Sequence, residues 1–281
     1  MIKLIILDVD GVVLGSQKGI NVPFPTTTVQ DHILDLQNRG VVIALCTGKP
    51  SFAVKRMIQR VQLNNLHISD GGAVISNPID GVVIRNINIP KQVVQQLLSQ
   101  TVDRKALWQL YTMDSKYVQA GKFPRELQED SELMPWVEVD DLLTIAQTES
   151  LTKLETIYSP EEEGYYRTLF KRYEDAITVQ WTGVPTLLPN KLVIVTAKGV
   201  DKQTAVQELA KYHKIQLSEI LAVGDTMMDW KFMQDCGYVA TLSNASAEMQ
   251  ELVKSRGGFV GRDVDQDGLV DVLEYFKNLI D

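Results

Sequence analysis

Apolar positions along the chain fall into two rhythms. Leu4–Leu7 is a short unbroken apolar run, the signature of a strand buried on both faces. A polar loop with Gly and Pro follows from Gly11 to Pro25, and then Val29, Ile33 and Leu36 recur at helical spacing until Arg39-Gly40 supplies a stop. Val41–Cys46 reads as a second buried strand. Ser51–Val61 reads as a helix with Val54, Ile58 and Val61 on one face. Strand–helix–strand–helix order predicts a parallel sheet covered on both sides.

The same rhythm returns near the C-terminus. Leu192–Val195 and Ile220–Val223 read as strands, and Asp201 as the N-cap of a helix bearing Val206 and Leu209. Further helices are expected around Asp229, Glu248 and Leu273. The middle third differs: it holds Trp108, Trp136 and Trp181, with strands predicted at Ala106–Tyr111, Leu154–Tyr158 and Ile177–Trp181 and a helix at Glu161–Tyr173. The fold class expected is α/β. A doubly wound, Rossmann-like core of residues 1–82 and 190–281 would be interrupted by an inserted α/β domain at 83–189.

Composition narrows the partners. A formal charge of -8 gives an acidic surface that repels nucleic-acid backbones and anionic lipid, so neither is expected as a partner. No apolar run approaches the length needed to span a bilayer, and the short run at Leu4–Leu7 is followed at once by Asp8 and Asp10, unlike a signal peptide. The expected location is cytoplasmic, with Cys46 and Cys236 as free buried thiols. Nothing in the sequence bears on oligomeric state.

Chemistry-bearing residues gather at predicted strand ends. Asp8-Val9-Asp10-Gly11 follows the first strand, where open parallel sheets place their active crevice. Thr47-Gly48-Lys49 follows the second and offers a hydroxyl and a backbone amide where a helix begins, a place suited to a phosphoryl oxygen. Gly224-Asp225 follows Ile220–Val223, with Asp229 four residues on and therefore on the same helical face. Lys202 opens a helix whose dipole it opposes, which a bound anion explains better than stability does. Taken singly, each has a plainer use: Asp-Gly and Thr-Gly as turns, Asp225 as an N-cap, Lys202 as a surface charge.

Asp-x-Asp-Gly, Thr-Gly, Lys and Gly-Asp-x-x-x-Asp in this order resemble the haloacid dehalogenase superfamily of phosphatases. The insertion, Asp70-Gly71-Gly72-Ala73-Val74 and Val200-Asp201-Lys202 resemble the superfamily's Cof-type branch with its large α/β cap. The resemblance implies that Asp8 attacks phosphorus and binds metal. It implies that Asp10 is acid and base, with its backbone carbonyl on the metal. Gly11, Thr47, Gly48 and Lys202 would contact the phosphate, and Asp225 and Asp229 would complete an Mg²⁺ site. It further implies a cap that closes over the crevice and selects a small phosphorylated metabolite, such as a sugar phosphate. A phosphomutase and a non-catalytic phospho-ligand binder are the alternative readings, whereas Asp10 has no use in a dehalogenase. Three positions depart from the branch: Lys49 replaces arginine, Met228 replaces asparagine, and Ser243-Asn244-Ala245 replaces Gly-Asn-Ala.

Other signals are weaker. Asp263-x-Asp265-x-Asp267-Gly268, with Asp271 and Glu274, matches a calcium loop, but the glycine-rich Gly257–Gly261 before it is no entering helix, so a capped turn is expected. His32, His67 and His213 adjoin no motif and are expected in core or surface roles, and the three tryptophans in packing. No dinucleotide or Walker-type glycine motif is present.

Overall fold

The computed structural model describes residues 1–124, 132–182 and 187–280. Their contacts divide into two compact units. The first comprises Met1–Lys49, Ala53–Ile84 and Asp201–Asp281; the second comprises Pro50–Phe52 and Arg85–Val200.

The first unit is built on a parallel sheet. Its strands are β1 (Leu4–Leu7), β2 (Val42–Leu45), β12 (Ile220–Val223), β13 (Tyr238–Leu242) and β14 (Phe259–Gly261), in the order β14-β13-β12-β1-β2. β1 lies between β12 and β2, and all four of its residues are wholly buried, as an unbroken apolar run requires. The register sets Leu7 level with both Val223 and Leu45. The residues that follow these three strands therefore leave the sheet along one edge. Helices α1 (Thr27–Asn38), α2 (Ser51–Val61), α6 (Lys202–His213), α7 (Met227–Met233), α8 (Ala247–Ser255) and α9 (Gly268–Phe276) belong to the connecting segments. Ala205, Val206 and Leu209 of α6 pack with Leu4, Ile6, Ala44 and Ala222 in one apolar core.

Caps fall where side-chain chemistry places them. Thr26, Asp201 and Ser246 each accept the backbone N–H three residues on, at the starts of α1, α6 and α8. A smaller sheet of β3 (His67–Ser69), β4 (Val74–Asn77) and β5 (Val82–Asn86) was not anticipated. Its β3–β4 turn, Asp70-Gly71-Gly72, has positive φ at all three residues, so its glycines are there for backbone reasons.

The second unit contains a six-stranded sheet in the order β10-β11-β9-β6-β7-β8. Its strands are β6 (Leu107–Tyr111), β7 (Lys116–Gln119), β8 (Trp136–Val139), β9 (Lys153–Tyr158), β10 (Ile177–Thr182) and β11 (Lys191–Ala197), with helices α3 (Lys91–Ser99), α4 (Leu142–Thr148) and α5 (Glu163–Lys171). Here one expectation is corrected. The run Leu192–Val195 belongs to β11 of this sheet, antiparallel to β9 and β10, and not to the parallel core. Four consecutive apolar residues resembled a strand buried on both faces. In β11, however, only Val193, Val195 and Ala197 are fully buried, the alternation of a strand with one covered face. The division accordingly falls at residues 84/85 and 200/201, two and eleven residues beyond the expected 82/83 and 189/190. Trp108 and Trp181 pack with Phe170 of α5, and the indole N–H of Trp108 donates to Thr101 at 3.0 Å. Among the described residues, no helix is long and apolar enough to cross a membrane.

Candidate active site

Asp8 is the first residue beyond β1, and its backbone N–H donates to the carbonyl of Val223 on the neighbouring strand. The parallel ladder thus carries the chain to the sheet edge and fixes where this side chain begins. Asp225 is the second residue beyond β12, after Gly224, whose N–H donates to the carbonyl of Ala240 on the neighbouring strand. Thr226 then caps α7 in a capping box with Asp229. Lys202 is the first residue of α6, directly after its N-cap Asp201.

These four side chains converge. The Lys202 ammonium donates to Oδ1 of Asp8 and to Oδ1 of Asp229, each at 2.6 Å. The other oxygen of Asp229 accepts from the backbone N–H and hydroxyl of Thr226, at 3.1 and 2.6 Å. Asp8, Asp225 and Asp229 present carboxylate oxygens that all lie within 4.8 Å of one another. Three carboxylates against one ammonium leave a negative excess in a poorly hydrated place. Burial pushes the Asp8 carboxyl up to about 7, opposed by Lys202 and reinforced by Asp229. Burial, then the charge of Asp229, raises Asp225 to about 6. At Lys202, burial acts to lower the pKa, but Asp8 and the neighbouring acids overcome it and the net direction is upward.

The donor set fits a hard divalent cation. Oδ1 of Asp225 is buried and meets no hydrogen-bond partner among the described residues. A buried carboxylate oxygen left so is costly, and a cation would both satisfy it and offset the crowded negative charge. Gly11 makes room for this group: its φ is +80°, and a Cβ there would collide with the Asp225 carboxylate. Gly224 plays the same part for Asp229, whose Cβ would lie 2.5 Å from a side chain at that position.

Thr47 and Gly48 occupy the loop after β2. Thr47 is buried, its N–H donates to the carbonyl of Ile68 at 3.0 Å, and its hydroxyl oxygen accepts the N–H of Lys49 at 3.1 Å. A hydroxyl that accepts still has its own proton to donate. Asp10 stands apart from the carboxylate cluster, mostly exposed, with its carboxylate 3.0 Å from the ammonium of Lys49.

Asn244 emerges as a structural contact of this loop that spacing alone did not reveal. Its amide donates to the carbonyl of Gly11 at 2.9 Å and accepts from the N–H of Val264 at 3.0 Å. Only its place in a Ser-Asn-Ala segment hinted at it.

The calcium-loop carboxylates are engaged otherwise. Asp265 accepts from the N–H and hydroxyl of Ser16 and from Asn21, Asp267 accepts from the hydroxyl of Thr26, and Asp271 pairs with Arg262. His67 is buried between strands, with Nδ1 accepting the N–H of Leu45 at 3.1 Å. Cys46 and Cys236 are free and buried.

A family model described as haloacid dehalogenase-like hydrolase matches residues 5–273. The phosphatase YwpJ of Bacillus subtilis is 22% identical over 97% of this chain and 99% of its own length. From the same organism, the 5-amino-6-(5-phospho-D-ribitylamino)uracil phosphatase YwtE is 21% identical over 95% of each. Among solved structures, a haloacid dehalogenase-like hydrolase from Bacteroides thetaiotaomicron superposes with a TM-score of 0.83 at 18% identity, covering 98% of this chain and all of that one. A subclass IIB sugar phosphatase superposes with a TM-score of 0.73 at 17% identity, covering 98% and 99%. On the match across nearly its whole length, the chain belongs to the haloacid dehalogenase-like hydrolases.

Proposed function

We propose that this protein is a Mg²⁺-dependent phosphomonoesterase acting on a small phosphorylated metabolite, a sugar phosphate or a similar polyol phosphate. One observation carries the reading: Asp8, Asp225, Asp229 and Lys202 meet at the edge of a parallel sheet, with an orphaned buried oxygen on Asp225. The relatives named as phosphatases and the sugar phosphatase of the same fold support the substrate class.

Asp8 is the nucleophile. Its carboxylate oxygen bonds to phosphorus as the bond from phosphorus to the leaving oxygen breaks, and Asp10 gives its proton to that oxygen. Asp10, now a carboxylate, takes a proton from water as the water oxygen bonds to phosphorus and the aspartyl phosphate opens. Phosphate leaves and Asp8 is restored. Lys202 neutralises Asp8 beside an incoming dianion, and Thr47, Gly48 and Gly11 supply donors to the phosphoryl oxygens. Asp8, Asp225, Asp229 and the Asp10 carbonyl would hold Mg²⁺, which when bound supplies positive charge against the phosphoryl oxygens. The second unit is the cap that selects the leaving group.

Release of phosphate from p-nitrophenyl phosphate is the first test. EDTA should abolish it and Mg²⁺ restore it, and Asp8→Asn should remove it by a thousandfold or more, on the order expected for loss of a covalent nucleophile. Turnover that survives either treatment rejects the reading.

A further inference from the structure

Asp10 and Lys49 lie on loops that leave neighbouring strands, and their charges meet at 3.0 Å. The two ends of the pair differ. The Asp10 side chain is 64% exposed, whereas that of Lys49 is only 10% exposed. Ion pairs between two mobile surface chains contribute little because both must be ordered. Here one partner is already held: the Lys49 N–H donates to the Thr47 hydroxyl at 3.1 Å, and its carbonyl accepts the N–H of Asp70 at 2.8 Å.

The backbone at Asp10 is held as well. Asp10 bridges to Leu14, the N–H of Gly11 donates to the carbonyl of Leu14 at 2.8 Å, and the Gly11 carbonyl accepts from Asn244 at 2.9 Å. With the main chain pinned on both sides, the freedom left at Asp10 is side-chain torsion. The ammonium of Lys49 is what meets that side chain.

We propose that Lys49 is a positioning residue, fixing the Asp10 carboxyl group in the orientation from which it exchanges protons with the leaving group. This rests on the reading of Asp10 as acid and base. Lys49 itself gains and loses no proton. Its ion-pair partner does both: Asp10 delivers a proton to the leaving oxygen and recovers one from water.

Leaving groups separate this role from simple phosphate binding. A p-nitrophenolate leaves without protonation, whereas an alkoxide such as that of glycerol phosphate needs the acid. The enzyme with Lys49→Met should lose about 10- to 100-fold in kcat/KM on glycerol phosphate, and several-fold less on p-nitrophenyl phosphate, because kcat/KM ends with departure of the leaving group, before the water step that both substrates share. Lys49→Arg should recover most of the loss on glycerol phosphate. Asp10→Asn should show the same split in kcat/KM between substrates, and the double variant should have no lower kcat/KM on glycerol phosphate than Asp10→Asn alone, because paired residues act as one unit. Thermal melts that match the parent protein keep misfolding out of the comparison. Equal losses of kcat/KM on both substrates, or additive losses in the double variant, would overturn the proposal. If Asp10→Asn itself shows no such split, the assignment of Asp10 fails instead, which is a separate result.

Discussion

Gly11 follows two aspartates and turns with φ at +80° against the carboxylate of Asp225, so any side chain there faces both backbone strain and a collision. Gly11→Ala should therefore displace Asp225 and the loop carrying Asp10. We expect about a hundredfold loss of phosphatase activity and a higher Mg²⁺ requirement, measured by titrating activity with metal. His67 gives a prediction of another kind. It is buried as a neutral ring accepting the N–H of Leu45, and burial lowers its pKa from 6.5 to about 3. The unfolded chain thus binds a proton that the folded chain refuses between those values. Stability contributed by the neutral ring is intact above pH 6.5 and is lost progressively as pH falls toward 3. From pH 7 to 5 this amounts to roughly 2 kcal/mol. Urea unfolding of His67→Gln, whose amide oxygen can still accept from Leu45, should show that much less acid destabilisation than the parent protein; equal slopes would refute it.

At the scale of elements, the segment Val264–Gln266 with its flanking aspartates serves as a tie. Asp265 binds Ser16 and Asn21, and Asp267 binds Thr26, fastening the long loop that follows β1. A carboxylate already committed to three donors, as Asp265 is, is poorly placed to coordinate calcium. Asp265→Ala should cost about 1–3 kcal/mol in urea unfolding, and Ca²⁺ should give no binding heat by calorimetry with either the parent or the variant. A saturable heat that disappears with the substitution would restore the calcium reading. Lys202 shows a related economy at the start of α6. A cation there opposes the helix dipole, yet it accepts that position because Asp8 and Asp229 surround it. The anion inferred from the sequence is in part the protein's own pair of carboxylates.

For the whole molecule, the second unit carries a core of its own: Trp108, Leu110, Leu154, Tyr166, Phe170, Val193 and Val195 are all buried. The segment 85–200, produced alone, should unfold cooperatively on heating, with a near-ultraviolet circular dichroism signal from packed aromatics. A featureless spectrum with no transition would contradict this. The elements of this fold were largely legible because each is written locally. Leu4–Leu7 and Ile220–Val223 declare themselves by unbroken burial, and Asp201 by the N–H it caps. The order of Asp8, Thr47 and Asp225 along the chain also carried the family, since strand ends in a parallel sheet share an edge whatever lies between them, while Lys202 reaches the site from the start of α6. Pairing partners were beyond it. Leu192–Val195 went to the antiparallel sheet because strand partners depend on distant register, which four apolar letters do not encode. The contacts of Asp10 with Lys49, Asn244 with Gly11, and Asp265 with Ser16 join residues up to 249 positions apart. Local chemistry names the side chains available, but only the folded chain decides which charges and hydrogen bonds they find, because those energies depend on distance in space.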